Sequence, residues 1–359
     1  MISRAERDDL PLVADAFALG RVRSVAFLPS GLMNLNWRVE GACSTAAVKR
    51  LLDPKAEAPT RSLALMGYLA AADIPVPVPL TTTTGQAVVE IDGRAYCGLP
   101  WVEGQHPAGA ELTVAQARSL GAVLGRIHLA LGPAAAKAGL GAPGRAADLE
   151  IRDPAAAAGE ADRFLALIAS LPRPDHFDLD VVPTLHRRRV LLEQYQGQRP
   201  PVGSRPGPAG WTHGDFQPLN VVWRDGQVAA VLDWDRVRVQ LLGEEVVRSA
   251  TLLFATADGT GLDLERIAAF TAGYRTQVPL TQAASDDAAQ RTWWNRMTDL
   301  WILKFRYDRA DSSCDHLYGP SCAVLEWWTT RRGEVREAFA AGAPARHLAA
   351  PGHASAPAS

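Results

Sequence analysis

Two acids and an amide in one short stretch of this chain have the types and spacing that phosphoryl transfer needs. His213-Gly214-Asp215 is followed by Asn220 five positions after the acid and by Asp233 eighteen positions after it. Magnesium prefers oxygen ligands and usually takes one or two carboxylates together with phosphate oxygens. Asn220 and Asp233 could therefore hold a magnesium nucleotide, while Asp215 could accept the proton of an incoming hydroxyl group.

A predicted β-hairpin explains the interval between Asn220 and Asp233. Residues 221–223 and 228–232 are short apolar runs on either side of Asp225-Gly226, a dipeptide typical of tight hairpin turns. Folding at that turn would set Asn220 and Asp233 nearly opposite each other, where facing Cβ atoms lie about 5 Å apart. Alone, Asn220 would be a turn residue and Asp233 an acid at a strand end; together they favour one shared metal ion.

The pattern HGDxxxxN followed by LDWD resembles the aminoglycoside phosphotransferase and homoserine kinase-like branch of the protein-kinase superfamily, whose protein-kinase members carry H-R-D-x-x-x-x-N. The resemblance extends over residues 25–310, with Gln217 where the family often has histidine. It implies a protein-kinase-like, two-lobed α+β fold. We expect an N-lobe with a small antiparallel sheet over residues 1–103, a mostly helical C-lobe over 104–340 and a flexible tail over 341–359.

The same resemblance implies ATP (or GTP) and Mg²⁺ as cofactors. Lys49 lies in the apolar strand pattern TAAVKRLL, where a buried charge is unfavourable unless it is paired; as a kinase lysine it would bind the α- and β-phosphates. Its expected carboxylate partner is Glu57 at the start of the next helix. Two alternatives stay open: Lys49 could be an edge residue whose ammonium reaches solvent, and Glu57 a first-turn acid favoured by the helix dipole.

Two further segments are candidates for nucleotide binding. SGLMNLNWRV resembles the GxxNxNYxV of homoserine kinase-like proteins, so Ser30, Asn34 and backbone amides could cover the phosphates; an ordinary hairpin turn stabilised by asparagine is the alternative. Backbone groups from Leu99 to Val102, at the end of a predicted strand, would hydrogen-bond the adenine in the connector between the lobes.

The second half of the chain is dominated by helical periodicity. It predicts helices at residues 113–131, capped by Thr113, and at 161–171, 184–195, 242–254, 264–274 and 292–309. Residues 132–160, rich in Ala, Gly and Pro, are expected to form a surface excursion. His128 is predicted to be a packed, hydrogen-bonded core residue. The acids at 299, 308, 311 and 315 could face a cationic acceptor or form a solvated face.

Whole-chain properties narrow the class of ligand. A length of 359 residues suits two lobes, and a net charge of −2 favours a small-molecule partner over nucleic acid or a membrane surface. Four scattered cysteines predict neither a zinc cluster nor a disulfide framework. The charged amino terminus and the lack of an apolar run near ~20 residues predict a cytoplasmic protein, expected to be a monomer or a homodimer.

The acceptor is the least determined part of the prediction. The chain is expected to phosphorylate a hydroxyl group of an antibiotic, aminoglycoside-like or other, as a resistance enzyme. One alternative is a metabolic kinase of homoserine, choline or a sugar amine, favoured by the asparagine-rich first turn. Another is a catalytically inactive nucleotide-binding module, against which Asp215, Asn220 and Asp233 all argue.

Overall fold

The computed structural model describes residues 4–29, 34–52, 57–141, 151–203 and 207–343. The side chains of residues 4–7 and 57–59 are also outside the described part. Within it, the first hundred residues build a five-stranded antiparallel sheet of order β1-β2-β3-β5-β4. The elements in chain order are α1 (Arg4–Ala16), β1 (Val22–Leu28), β2 (Leu35–Gly41), β3 (Thr45–Leu51), α2 (Glu57–Ala70), β4 (Val89–Ile91) and β5 (Arg94–Pro100).

Helix α1 covers one face of this sheet. Leu10 and Val13 of this helix, and Phe17 directly after it, are buried against Trp37 of β2 and Tyr96 of β5. The alternation of buried and half-buried residues along β2 follows the two-residue period of a strand. The same face holds an ion pair, because Asp9 of α1 accepts two hydrogen bonds from Arg94 at 2.6 and 2.8 Å. The sheet predicted for the N-terminal part is confirmed.

The rest of the chain is mainly helical, with two small two-stranded sheets. The elements are α3 (Val114–Lys137), α4 (Pro154–Ala169), α5 (His176–Tyr195), β6 (Ala209–Thr212), β7 (Val221–Arg224), β8 (Gln227–Val231), β9 (Arg238–Leu241), α6 (Leu242–Leu253), α7 (Leu264–Arg275), α8 (Gln282–Thr298), α9 (Trp301–Leu303), α10 (Tyr318–Thr330) and α11 (Arg332–Ala340). A sheet followed by helices makes the fold α+β and two-lobed, as expected.

Helix α3 is the centre of the helical part. Thr113 caps it, accepting a hydrogen bond from the backbone of Gln116 at 3.2 Å, as predicted. Gly121 allows a close crossing with α7, since a Cβ there would lie 1.9 Å from the carbonyl oxygen of Phe270. Among the described helices, α3 alone is long and apolar enough to cross a membrane by length and composition. In its apolar 18-residue stretch, 56% is buried inside the protein.

Two predictions about this half were wrong in part. Residues 132–160 are not simply a surface excursion: α3 continues to Lys137, and α4 begins at Pro154; residues 142–150 lie outside the described part. Alanine favours helix, and proline at the first helical position behind an aspartate cap is a good start signal. Asp153 is that cap, accepting the backbone N–H of Ala155 at 2.9 Å.

The single helix expected over residues 292–309 is in fact broken. Helix α8 ends at Thr298, Asp299 is extended (φ −93°, ψ 127°), and the chain then makes the short α9 and a wider π-helical turn at 304–308. The break is stabilised from outside, because Arg188 of α5 donates to the carbonyl oxygens of Arg296 and Asp299 at 2.8 and 3.1 Å. These carbonyls no longer need partners within a helix.

Candidate active site

The predicted hairpin is confirmed and carries two of the candidate residues. Strands β7 and β8 pair antiparallel from Val221 opposite Val231 to the turn. In the turn, Asp225 and Gly226 have φ of 52° and 74°, the positive pair that a type I′ turn requires. At the open end the N–H of Leu232 donates to the carbonyl oxygen of Asn220 at 2.8 Å. Asp233 therefore leaves the hairpin next to Asn220.

Asp233 adopts a left-handed backbone conformation, with φ 62° and ψ 69°. Such conformations are strained for residues other than glycine and occur where the surroundings enforce them. The following Trp234 is buried, donates from Nε1 to the carbonyl oxygen of Val231 at 3.0 Å, and packs 4.5 Å from the ring of His213. The anchored indole fixes the direction of the chain between Asp233 and Asp235.

Lys49 reaches these two acids from the sheet. Its Nζ lies 2.8 Å from Asp235 Oδ2 and 3.4 Å from Asp233 Oδ1. Burial by itself lowers the pKa of Lys49, but the charges of Asp235 and Asp233 outweigh it and raise the pKa above its usual value. The side chain of Asn34 also donates to Asp235 Oδ2, at 2.9 Å. Residues from β3 and the turn before β2 thus meet the acids that follow the hairpin.

Asp215 lies beside Asn220 on the loop that precedes β7. The Nδ2 of Asn220 donates to the carbonyl oxygen of Asp215 at 2.8 Å and to its Oδ2 at 3.3 Å. Gln217 Nε2 donates to the same Oδ2 at 3.2 Å, and Arg248 Nη2 donates to Oδ1 at 2.9 Å. The Asp215 carboxylate is held from both sides, and the Asn220 amide donates to Asp215 through its nitrogen, so its oxygen points away from Asp215.

A buried carboxylate on α6 anchors this loop. Glu245 is 1% exposed and accepts the backbone N–H of His213 at 3.0 Å and that of Gly214. It also lies 2.7 Å from His128 Nε2, whose Nδ1 is 2.9 Å from the hydroxyl of Tyr274. Burial would raise the pKa of Glu245, but the hydrogen bond and charge of His128 outweigh it, so the pKa lies below its usual value. The packed role predicted for His128 is confirmed.

The buried side chain of His213 connects the loop to the hairpin. Its Nδ1 accepts the backbone N–H of Asp215 at 3.2 Å, and its Nε2 lies 2.9 Å from the carbonyl oxygen of Leu232. One nitrogen accepts and the other donates, which is the pattern of a neutral imidazole. Burial lowers the pKa of His213 and favours the same neutral form. Gly214, between His213 and Asp215, has φ 83°, and a Cβ there would lie 2.1 Å from the carbonyl oxygen of Arg236.

The remaining candidates lie at the edge of this arrangement. Leu99 is in β5, opposite Ala47 of β3. Within the described residues, the backbone of Val102 makes no hydrogen bond to another backbone group, which leaves its N–H and C=O available to a ligand. Ser30 and the Glu57 side chain lie outside the described part of the chain. The pairing of Lys49 with Glu57 therefore stays a prediction, whereas the contacts of Lys49 with Asp233 and Asp235 are present in the structure.

Three residues at this site had no role in the sequence-based prediction. Asp235 stood in the quoted LDWD pattern, and its contacts with Lys49 and Asn34 are the new finding. Glu245 and Arg248 are on α6, in LGEEVVRSATLL. The sequence did hold one signal: the acid pair Glu244-Glu245 is followed directly by Val-Val on a helix with a strongly apolar face. A charged side chain at such a position is expected to be buried and to need partners.

The residues present suit a magnesium ion. Within the described ranges, no group of three or more His, Cys, Asp or Glu side chains forms a metal site. The candidate ligands are instead the Asn220 amide oxygen and the Asp233 carboxylate, a set that Mg²⁺ completes with phosphate oxygens and water. The ammonium group of Lys49 already lies between Asp233 and Asp235, so this position attracts a cation.

The fold and this set of side chains define a kinase-like phosphotransferase that acts on small molecules. The chain belongs to the phosphotransferase enzyme family APH, which it matches over residues 24–279. It is similar to the homoserine kinase of Methylobacillus glycogenes, with 27% identity over 297 residues, 79% of this chain and 82% of that protein. A match to the homoserine kinase of Gluconacetobacter diazotrophicus has 28% identity and spans 61% of that protein's length.

Solved structures share the fold at low sequence identity. A spectinomycin phosphotransferase in complex with ADP and spectinomycin aligns with a TM-score of 0.61 at 13% identity, over 93% of this chain and 98% of that one. A microcompartment-associated aminopropanol kinase aligns with a TM-score of 0.58 at 18% identity, over 90% and 99%. Antibiotic and metabolic kinases thus have the same architecture, and the architecture does not identify the acceptor.

Proposed function

We propose that this chain is an ATP-dependent O-phosphotransferase that moves the γ-phosphate to a hydroxyl group of a small molecule. Asp215 orients the hydroxyl and takes its proton, the hydroxyl oxygen bonds to the γ-phosphorus, and the bond from that phosphorus to the bridging oxygen breaks to release ADP. The observation that carries the proposal is the contact set in which Asn220 binds Asp215 and Lys49 reaches Asp233.

In this proposal the nucleotide lies between the sheet and the hairpin. Lys49 steadies the α- and β-phosphates, and Leu99 to Val102 present backbone groups to the base. Asn220 and Asp233 would hold Mg²⁺, which when bound neutralises charge on the phosphates. Gln105 and Trp223 exchange two backbone hydrogen bonds of 2.8 Å, so the connector after Val102 is fixed to the hairpin that bears the metal ligands.

The acceptor in this proposal is a metabolic alcohol rather than the antibiotic expected from the sequence. A cationic antibiotic would need unpaired acids, and two of the four candidate acids are already paired: Asp308 with Arg163 at 2.8 Å and Asp315 with Arg306 at 2.5 Å. The homoserine kinases matched above support the metabolic class. Antibiotics remain in the test panel as the competing outcome.

The test combines two variants with a matched control. Asp215→Asn should leave nucleotide affinity unchanged and lower turnover by about 10²–10⁴, the share that a general base supplies. Asp233→Ala should abolish magnesium-dependent nucleotide binding. Asp225→Asn, at the exposed far end of the same hairpin, should behave as wild type because asparagine tolerates positive φ.

Two measurements are needed: titration with a fluorescent nucleotide, with and without Mg²⁺, and ADP release over a panel of alcohols. Wild-type turnover by Asp215→Asn would refute the role given to Asp215. Nucleotide binding by the wild-type protein without ADP release for any alcohol in the panel would support the inactive binding module instead.

A further inference from the structure

One face of the N-terminal sheet stays partly open. Helix α1 covers the other face, where Trp37 is buried. Successive side chains point to opposite faces of a strand, and directly paired residues share a face. Ala47 is therefore on the open face with Lys49, two residues further along β3. Its partners Arg38 in β2 and Leu99 in β5 lie on that face as well, and both Ala47 and Leu99 are only half-buried. The small side chain of Ala47 leaves room for a flat ligand beside Arg38.

The guanidinium group of Arg38 is fixed by three neighbours. Its Nη1 lies 2.8 Å from Glu40 Oε1, and its Nη2 lies 3.5 Å from Glu103 Oε1. Its Cζ lies over the ring of Trp101, 4.9 Å from the ring centre, which is within the range of a cation–π contact. Two carboxylates thus occupy the edges of the guanidinium group, and the indole ring supports it from one side.

This pairing decides which part of a nucleotide Arg38 can bind. The charge of Arg38 is already balanced by Glu40 and Glu103, so a phosphate group would have to compete with both acids. Lys49 supplies the positive charge proposed for the phosphates. The side chain of Arg38 nevertheless keeps 35% of its surface exposed. What remains for a ligand is the second side of a planar cation, on which aromatic rings stack.

The spacing along the sheet fits one nucleotide. Ala47 and Lys49 are two residues apart, about 6–7 Å along a strand. The position of Arg38, opposite Ala47, is therefore about one ribose away from that of Lys49. Trp101, which supports Arg38, belongs to the connector whose backbone is proposed to bind the edge of the base.

We infer that the purine base of the nucleotide stacks on the guanidinium group of Arg38, which Trp101 supports from the opposite side. This inference rests on the proposed function, because that proposal places the phosphates at Lys49 and the base at the connector. Arg38 is then a residue that binds the nucleotide through its base and has no part in binding the phosphates or the acceptor.

Stacking recognises the face of a base rather than its edge. Every base has such a face, whereas adenine and guanine differ at the edge, where one carries an amino group and the other O6. Arg38 should therefore stabilise bound ATP and GTP by equal factors, and pyrimidine nucleotides less because their ring is smaller. Any preference between ATP and GTP then belongs to the backbone of the connector.

Titrations of ligands with and without a base test the inference. The probes are the magnesium complexes of ATP, GTP, CTP and inorganic tripolyphosphate, and calorimetry measures their Kd without an acceptor alcohol. Arg38→Leu should raise the Kd of ATP and of GTP by at least about fivefold, the lower end of base-stacking contributions, and that of CTP by less. The Kd of tripolyphosphate, which has no base, should not change, and its binding also shows that the variant is folded.

Three further variants separate stacking from charge pairing. Arg38→Lys keeps the positive charge but loses the planar group, so it should recover little of the affinity for ATP. Glu103→Gln, at a side chain that is 71% exposed, removes one acid and keeps the guanidinium group, so the Kd of ATP should stay at the wild-type value. Arg23→Leu is the matched control, because Arg23 is an exposed arginine on β1 of the same sheet, and all four Kd values should equal those of the wild type.

The possible failures can be told apart. An equal loss for ATP and GTP in Arg38→Leu, with unchanged tripolyphosphate binding, supports the inference. An unchanged Kd of ATP, a loss confined to GTP, or a loss for tripolyphosphate as large as that for ATP refutes the stacking role and leaves the phosphotransferase proposal standing. If the wild-type protein binds ATP but releases no ADP with any alcohol, the proposed function alone is refuted. If it binds no nucleotide, both are refuted together.

Discussion

Replacing Glu245 by glutamine should loosen the catalytic loop without removing any residue proposed to touch the substrate. Glu245 Oε2 accepts from the His213 backbone and His128, while Oε1 accepts from the Gly214 backbone. Glutamine offers one oxygen and one amide nitrogen. If the glutamine oxygen takes the place of Oε2, the amide nitrogen faces the N–H of Gly214, and that donor has no acceptor. If the oxygen takes the place of Oε1, the backbone N–H of His213 and the ring N–H of His128 both have no acceptor.

The magnitude follows from that count. A buried donor left without an acceptor costs about 1–3 kcal/mol, so Glu245→Gln should lower the free energy of unfolding by at least that amount. Alanine would leave three donors without an acceptor, about 3–9 kcal/mol on the same scale, which is comparable with a whole protein's stability of about 5–15 kcal/mol. Glutamine is therefore the informative change.

The loop carries Asp215, so the same variant should lower kcat by about 10- to 100-fold, since a shift near 1 Å of a catalytic group can reduce the rate about 100-fold. Nucleotide affinity should stay unchanged. Urea unfolding and steady-state kinetics measure the two effects, with Glu265→Gln, an exposed acid on α7, as the control expected within about 0.5 kcal/mol of wild type. Wild-type stability and kcat in Glu245→Gln would refute the anchoring role.

Three further predictions concern the catalytic loop and the sheet. Gly214→Ala should destabilise the loop and lower kcat, because its Cβ would lie 2.1 Å from the carbonyl oxygen of Arg236; a structure with an unmoved loop would contradict this. Burial lowers the pKa of His213 in the folded protein, so the unfolded state takes up the proton at a higher pH than the folded state. The free energy of unfolding should therefore decrease as the pH drops below about 6.5. The urea midpoint of His213→Asn should not show that decrease. Asp9→Asn should reduce the urea midpoint, because it weakens the ion pair with Arg94 in which Asp9 is only 2% exposed. Arg94→Lys should cause part of the same reduction.

The reactive motif was predictable because its geometry is local. The Asp225-Gly226 turn and its flanking apolar runs determine the hairpin, and the hairpin determines that Asn220 and Asp233 come together. Such a turn needs no information from the rest of the chain. The broken helix after Thr298 is the opposite case, since the carbonyls at its end are satisfied by Arg188, more than a hundred residues earlier.

Lys49 shows where local reasoning ends. The strand pattern around it predicts that a buried ammonium needs an anion, but the pattern cannot choose among Glu57, Asp233 and Asp235. That choice depends on how the sheet packs over the hairpin, a contact that spans 184 residues to Asp233. Arg248 follows the same rule, because only the packing of α6 against the loop before β7 brings its guanidinium group to Asp215.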